Sequence, residues 1–226
     1  MTVEVRAVTH SFGERVVLRD VDVDLTEQRV GVIGANGSGK STFARLLNGL
    51  IVPETGSVCV DGIDTRDDAA EVRRRVGFVF TDPDAQIVMP TVAEDVAFGL
   101  RKQRLGRGET ARVVAEALDT FGLTSHADHP AHLLSGGQKQ LLALCAVLVT
   151  EPKVLVCDEP TTLLDLRNTR RVLDLMAGLA QRVVLVTHDL DAALRMDRVL
   201  VFDAGSIVFD GPADEAVARY RRLAAL

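Results

Sequence analysis

Two stretches of the chain place lysine, hydroxyl and carboxylate side chains at spacings that suit phosphate chemistry. Gly34-Ala35-Asn36-Gly37-Ser38-Gly39-Lys40-Ser41 fits the pattern G-x-x-x-x-G-K-[ST]. It sits between the apolar run Val30 to Ile33 and a stretch with helical spacing at Phe43, Leu46, Leu47 and Leu50. Glycines allow successive backbone N–H groups to turn inward around phosphate oxygens, and a helix start adds a favourable dipole. Lys40 would reach the β and γ phosphates, and the Ser41 hydroxyl would be a ligand for Mg2+. Binding of ATP or GTP follows as the expectation. The apolar run Val154 to Cys157 ends in Asp158-Glu159, and carboxylates at the C-terminal end of a strand lie where open α/β sheets bind ligands. Asp158 would hold Mg2+, directly or through water, while Glu159 would orient and deprotonate an attacking water.

Leu134-Ser135-Gly136-Gly137-Gln138 precedes the apolar run 141–149. Taken alone, Ser135 reads as a helix N-cap; with the glycines it makes a second anion cradle. One nucleotide needs two cradles only if they close on it from opposite sides. His188, just past Val183 to Val186, is another strand-end polar group suited to a γ-phosphate. Asp165 also suits the cap of a helix starting at Leu166. Three histidines, at 126, 129 and 132, have a spacing that suggests a metal cluster, but Pro130 interrupts any helix that would align them. They read as surface-loop residues. Arg73-Arg74-Arg75 complements a helix C-terminus, and Arg101, Lys102, Arg104 and Arg107 form a modest basic face.

The elements that must carry these residues alternate. Val21 to Leu25 has period two, Ser57 to Val60 is a strand closed by Asp61-Gly62, and Val76 to Phe80 is a buried strand before the loop Thr81-Asp82-Pro83-Asp84. From Val92 to about Val149 the pattern is helical, and strands and helices alternate again through Val199–Phe202 and Ser206–Phe209. A helix is expected over Asp191 to Met196 and a last one starting at Pro212. Buried strands alternating with helices mean an α/β fold with a mostly parallel sheet. The chain has 226 residues, 47% of them hydrophobic, enough for a sizeable core. With 26 basic and 32 acidic residues the net charge is −6, which argues against a nucleic-acid partner. The longest apolar run, Leu141 to Val149, is nine residues and too short for a bilayer. The opening Met1-Thr2-Val3-Glu4-Val5-Arg6 has no signal-peptide pattern. Cys59, Cys145 and Cys157 read as buried thiols in a reducing compartment.

In their order and spacing these motifs resemble the ATP-binding cassette (ABC) ATPases over essentially the whole chain, and Leu-Ser-Gly-Gly-Gln at 134–138 is the specific part. The resemblance implies a phosphate-loop fold with an N-terminal antiparallel β subdomain. Residues 1–86 and 151–226 would be the nucleotide-binding core, and about 87–150 a helical subdomain. It implies ATP and Mg2+ as cofactors, and two cassettes paired head to tail so that Ser135, Gly137 and Gln138 of one face the nucleotide of the other. Glu159 then looks like the catalytic base, His188 like the γ-phosphate switch, Asp165 like an interface residue and Thr42 like an α-phosphate contact. Phe12 stands at the adenine-stacking position, with plain core packing as its alternative. Thr81 stands where the family carries a glutamine that meets Mg2+, and its shorter hydroxyl would still meet Mg2+ or water. Within the family, Val79 to Gln86 and Pro90 to Gly99 are similar to the energy-coupling-factor (ECF) importers, and Glu159 to Asn168 to their biotin branch. That class implies an ATPase held peripherally at the cytoplasmic face of the membrane. A second cassette, identical or paralogous, a transmembrane coupling subunit and a substrate-capture subunit would be its partners. An exporter ATPase and a soluble ABC-type ATPase are the competing readings.

Overall fold

The computed structural model of the protein describes residues 2–225; Met1, which opens the segment read above for a leader, and Leu226 lie outside them. Strands β1 (Val3–Phe12) and β2 (Arg15–Leu25) form an antiparallel hairpin. Its buried face carries Val3, Val5, Val8 and His10 opposite Leu18, Val21, Val23 and Leu25, which is the alternation expected of 21–25. Register shifts along the pair bring Phe12 opposite Arg15 across a turn at Gly13, whose φ is +60°. Next come β3 (Arg29–Gly34), buried at every position, and helix α1 (Lys40–Leu47). β4 (Thr55–Val60), β5 (Ile63–Asp64), helix α2 (Ala69–Arg75) and β6 (Val76–Val79) follow. The arginines that end α2 do more than complement its dipole: Arg75 Nε donates to Glu71 Oε1 at 2.8 Å and Arg73 Nη1 to the Gly49 carbonyl at 3.0 Å.

The helical stretch resolves into α3 (Val92–Gly99), α4 (Arg107–Thr120) and α5 (Gly136–Leu148). β7 (Val154–Asp158), α6 (Leu166–Gly178) and β8 (Arg182–Val186) follow. The chain continues through α7 (Leu190–Ala193), β9 (Arg198–Asp203), β10 (Ser206–Gly211) and α8 (Ala213–Ala224). Two boundaries differ from expectation. α7 is one turn, because after Ala193 the chain tightens to Arg195 N–Ala192 O and Met196 N–Ala193 O bonds. Pro212 sits before the first turn of α8 with ψ 146°, so the helix proper begins at Ala213.

Two sheets result: an antiparallel one ordered β2-β1-β4-β5 and a six-stranded one ordered β10-β9-β3-β8-β7-β6. In the second, β3 runs parallel to β8 and β9, and β7 parallel to β8, while β10 turns back antiparallel on β9. The fold is the mostly parallel α/β sheet with an N-terminal antiparallel layer that the sequence implied. Phe43 of α1 and Phe202 of β9 are both buried with ring centroids 5.0 Å apart. Each such side chain contributes about 2 kcal/mol by leaving water, and this pair holds α1 against the strand that follows the last βα crossover.

The chain clusters into two compact units. The first holds the residues up to Phe78, Lys153–Glu159 and those from Leu179 on; the second holds Val79–Pro152 and Pro160–Gly178. Pro160–Gly178, expected with the strands that flank it, goes with the second unit. There Arg171 Nη2 donates to the Phe121 carbonyl at 2.8 Å, and a Cβ on Gly137 would lie 2.5 Å from Asn168 Cγ. Cys145 and Cys157 are buried free thiols, the former pushed up to about 12 by burial. Cys59 is only half-buried, because it points to the outer face of β4 between the inward Val58 and Val60. Among the described residues no helix is long and apolar enough to cross a membrane.

Candidate ATP-hydrolysis site

The loop from Gly34 to Lys40 joins β3 to α1 and can be built only with glycine at its turning points. Gly39 caps α1 at φ +106°, and a Cβ there would meet Leu18 Cδ2 at 2.8 Å and the Val17 carbonyl at 2.9 Å. No side chain caps α1, so the first-turn N–H groups face outward as an anion site. Lys40 is 6% exposed, and its ammonium donates to the Gly34 carbonyl at 2.7 Å and the Ala35 carbonyl at 2.9 Å. That leaves its third N–H for a phosphate oxygen. Burial lowers the Lys40 pKa, opposed by the negative charges of Glu159 and Asp158. Beside the loop is a cavity of about 270 Å³, lined by Phe12, Arg15, Val17 and most of the loop from Asn36 to Thr42. Phe12 is 53% exposed, so the core-packing alternative fails. Its ring stands edge-on to the buried His10 at 4.9 Å.

The acidic edge comes from β7. Asp158 is 2% exposed, and its Oδ1 accepts the Ser41 hydroxyl at 2.9 Å. Burial raises its pKa, while the Ser41 hydrogen bond and the Arg45 charge pull it back. Glu159 follows in the left-handed region at φ 53°, its N–H tied to the Val186 carbonyl at 2.9 Å. A left-handed non-glycine residue costs on the order of 1 kcal/mol and is held only where the surroundings impose it. Here the conformation sends the carboxylate across to β8, where Oε2 accepts from His188 Nδ1 at 2.7 Å. Lys40 and Ser41 thus open α1 beyond the loop from β3, Asp158 ends β7 with Glu159 after it, and His188 lies just past β8, all within the first unit.

The residues present fit the two absent groups. Ser38 Oγ is buried within the glycine loop and has no hydrogen-bond partner among the described residues. An orphan hydroxyl in such a cradle matches a phosphate oxygen. The Ser41 hydroxyl and the Asp158 carboxylate are adjacent hard oxygen donors of the kind Mg2+ takes beside waters and phosphates.

Asp158→Asn separates the cost of this site from its use. A carboxyl raised by burial holds its proton more tightly folded than unfolded. It therefore subtracts stability as pH rises from the ordinary carboxylate value through the raised one, and the loss persists above it. The amide removes that loss and still accepts from Ser41. We expect the unfolding midpoint at pH 7 to rise, and the gain to fade at acid pH. Calorimetry between pH 4 and 8 checks it; a lower midpoint at pH 7 contradicts the sign.

The signature residues lie in the second unit. Ser135 caps α5 through a capping box: its Oγ accepts from Gln138 N at 3.4 Å and Gln138 Oε1 accepts from Ser135 N at 2.8 Å. Asp165 caps α6, its Oδ1 accepting from Asn168 N at 2.8 Å. Thr81 opens the loop after β6, also in the second unit. Gln86 closes that loop on itself, Oε1 accepting from Phe80 N at 3.2 Å. Asp95 fixes the loop's far end through Val88 N and Met89 N, at 2.9 and 3.0 Å. Among the described residues no group of three His, Cys, Asp or Glu has metal-binding geometry. The sequence reading missed Arg15 and Val17, which line the cavity beside the loop. The turn residue Gly13, three positions after His10, was the signal that β2 returns past Phe12.

A strand, glycine loop and helix flanked by a second strand ending in two acids is the arrangement of phosphate-loop nucleoside triphosphatases. Residues 18–162 match the family described as ABC transporter. A putative ABC transporter ATP-binding protein of Deinococcus radiodurans is 54% identical over 219 residues, 97% of each chain. The biotin transport ATP-binding protein BioM of Rhizobium etli is 47% identical over 225 residues, the full length of both. Among solved structures, cbiO1 from Clostridium perfringens, part of the ABC transporter complex cbiONQ, superposes with a TM-score of 0.85 at 30% identity, covering 99% of this chain and 93% of that one. The chain belongs to the ABC transporter ATPase family.

Proposed function

We propose that this ATPase energises an energy-coupling-factor importer and that its cargo is biotin. The observation that carries the reading is the end-to-end match, at 47% identity, to a relative named as a biotin transport ATP-binding protein. In this reading the loop Gly34–Thr42 and Lys40 cradle the triphosphate, Phe12 stacks on adenine, and Ser41 with Asp158 hold Mg2+, which neutralises charge developing on the phosphates. Glu159 takes the proton of the attacking water and His188 contacts the γ-phosphate. Ser135, Gly137, Gln138 and Asp165 serve the nucleotide of a second cassette. Leu163 and Leu166, beside Asp165, are 64% and 79% exposed, as expected of residues that await a partner surface. Closure of the paired cassettes on ATP and reopening after hydrolysis would drive a transmembrane coupling subunit and a capture subunit at the cytoplasmic face.

The test is to express the chain with the membrane proteins encoded beside its gene, purify the assembly and identify the small molecule it retains. Biotin is the expected cargo. A complex that takes up a metal ion instead keeps the importer and replaces the cargo, and a chain that purifies with no membrane protein overturns the assignment.

A further inference from the structure

We infer that His126 is a positioning residue for the signature segment, acting through Gln138; the functional part of this rests on the proposed pairing of two cassettes. The side-chain amide of Gln138 has one acceptor, and Ser135 N already uses it at 2.8 Å. The remaining Nε2 lies 2.9 Å from His126 Nε2. An amide NH2 only donates, so His126 Nε2 accepts and the ring carries its hydrogen on Nδ1. His126 Nδ1 is in turn 2.9 Å from His129 Nδ1, so it donates there, and His129 carries its hydrogen on Nε2. The chain of bonds admits one tautomer for each ring.

The support behind it is fixed. His126 N donates to the Leu123 carbonyl at 2.8 Å, and His129 N to the His126 carbonyl at 2.9 Å. The same loop is stitched to the first turn of α3, with Ala93 N bonded to the Ala127 carbonyl at 2.9 Å and Val92 N to the His129 carbonyl at 3.2 Å. A cap hydroxyl and the glycine amides behind it form an anion cradle only while they keep one geometry. Gln138 holds that cap, and His126 holds Gln138. The histidines set aside in the sequence as loop residues thus extend the network of Ser135.

Two measurements on the full chain test this. Long-range 15N spectra of the imidazoles are expected to show His126 protonated at Nδ1 and bare at Nε2; a hydrogen on Nε2 overturns the inference. In a Glu159→Gln background, ATP-driven pairing is followed by sedimentation, and ATP affinity by calorimetry. His126→Phe, which keeps the ring and loses the acceptor, is expected to weaken pairing about tenfold, the worth of one hydrogen bond, with the ATP affinity of the unpaired chain, measured at a concentration too low for pairing, unchanged. His126→Gln, which returns an acceptor at the Nε2 position, is expected to restore it. Equal pairing in the Phe variant, or failure of Gln to rescue, overturns the role. If Glu159→Gln alone does not pair, the two-cassette reading fails, and the tautomer still decides the bond to Gln138.

Discussion

A Glu159→Gln variant is expected to bind ATP as the parent does and to hydrolyse it about a thousandfold more slowly, within the range that a positioned general base contributes. Glutamine preserves the shape of the side chain and still accepts from His188 Nδ1, which stands 2.7 Å from Oε2. What it loses is the capacity to take a proton from water. The left-handed backbone at φ 53° and the anchor to Val186 are main-chain features, so the substitution leaves the aim of the group intact. ATP should then accumulate unhydrolysed, and paired cassettes with it. Single-turnover hydrolysis with radiolabelled ATP, beside sedimentation with and without nucleotide, reads both effects. Hydrolysis at the parental rate would remove Glu159 from its role.

The second large effect is on binding. Lys40→Ala removes the buried ammonium that ties the Gly34 and Ala35 carbonyls together, and with it the cation that the proposed function assigns to the phosphates. Charge-assisted bonds contribute about 1.5–3 kcal/mol each, so ATP affinity is expected to fall roughly a hundredfold and turnover to vanish with it. Lys40→Met, which keeps the stem packed, should bind as poorly. The pH dependence has a definite sign. Burial lowers the Lys40 pKa, so the charge is lost on the alkaline side earlier than for an exposed lysine. Affinity for ATP therefore falls as pH rises towards the lysine range, and calorimetry from pH 7 to 10 follows it. Unchanged binding by Lys40→Ala would empty the loop of its assigned role and take the ATPase reading with it.

Some of the site was legible because it is local. The loop and the first turn of α1 are contiguous, and a glycine pattern ahead of Lys40 and Ser41 specifies a backbone that bonds anions wherever it occurs. Asp158-Glu159 could be assigned for the same reason: an apolar run and the polar pair that ends it are adjacent in sequence. The capping roles of Ser135 and Asp165 were readable from the residue at the start of an apolar helix pattern. Less legible were positions whose meaning depends on a neighbour far along the chain. Phe12 could not be placed in the core or outside it until β1 and β2 were registered against each other. Gln86 bonds the backbone of its own loop, a contact that nothing in the local pattern announces.

The sequence alone determined that the chain carries a phosphate loop, strand-end acids, alternating strands and helices, and the ABC signature, since each rests on composition and spacing within about ten residues. Only the tertiary structure decided which groups meet. Ser41 and Asp158 lie 117 residues apart and bond at 2.9 Å, Glu159 and His188 close across β7 and β8, and His126 reaches Gln138 over 12. Spacing along a chain sets local backbone geometry, whereas contact between distant groups is set by strand order and by the few side-chain orientations that a packed interior allows.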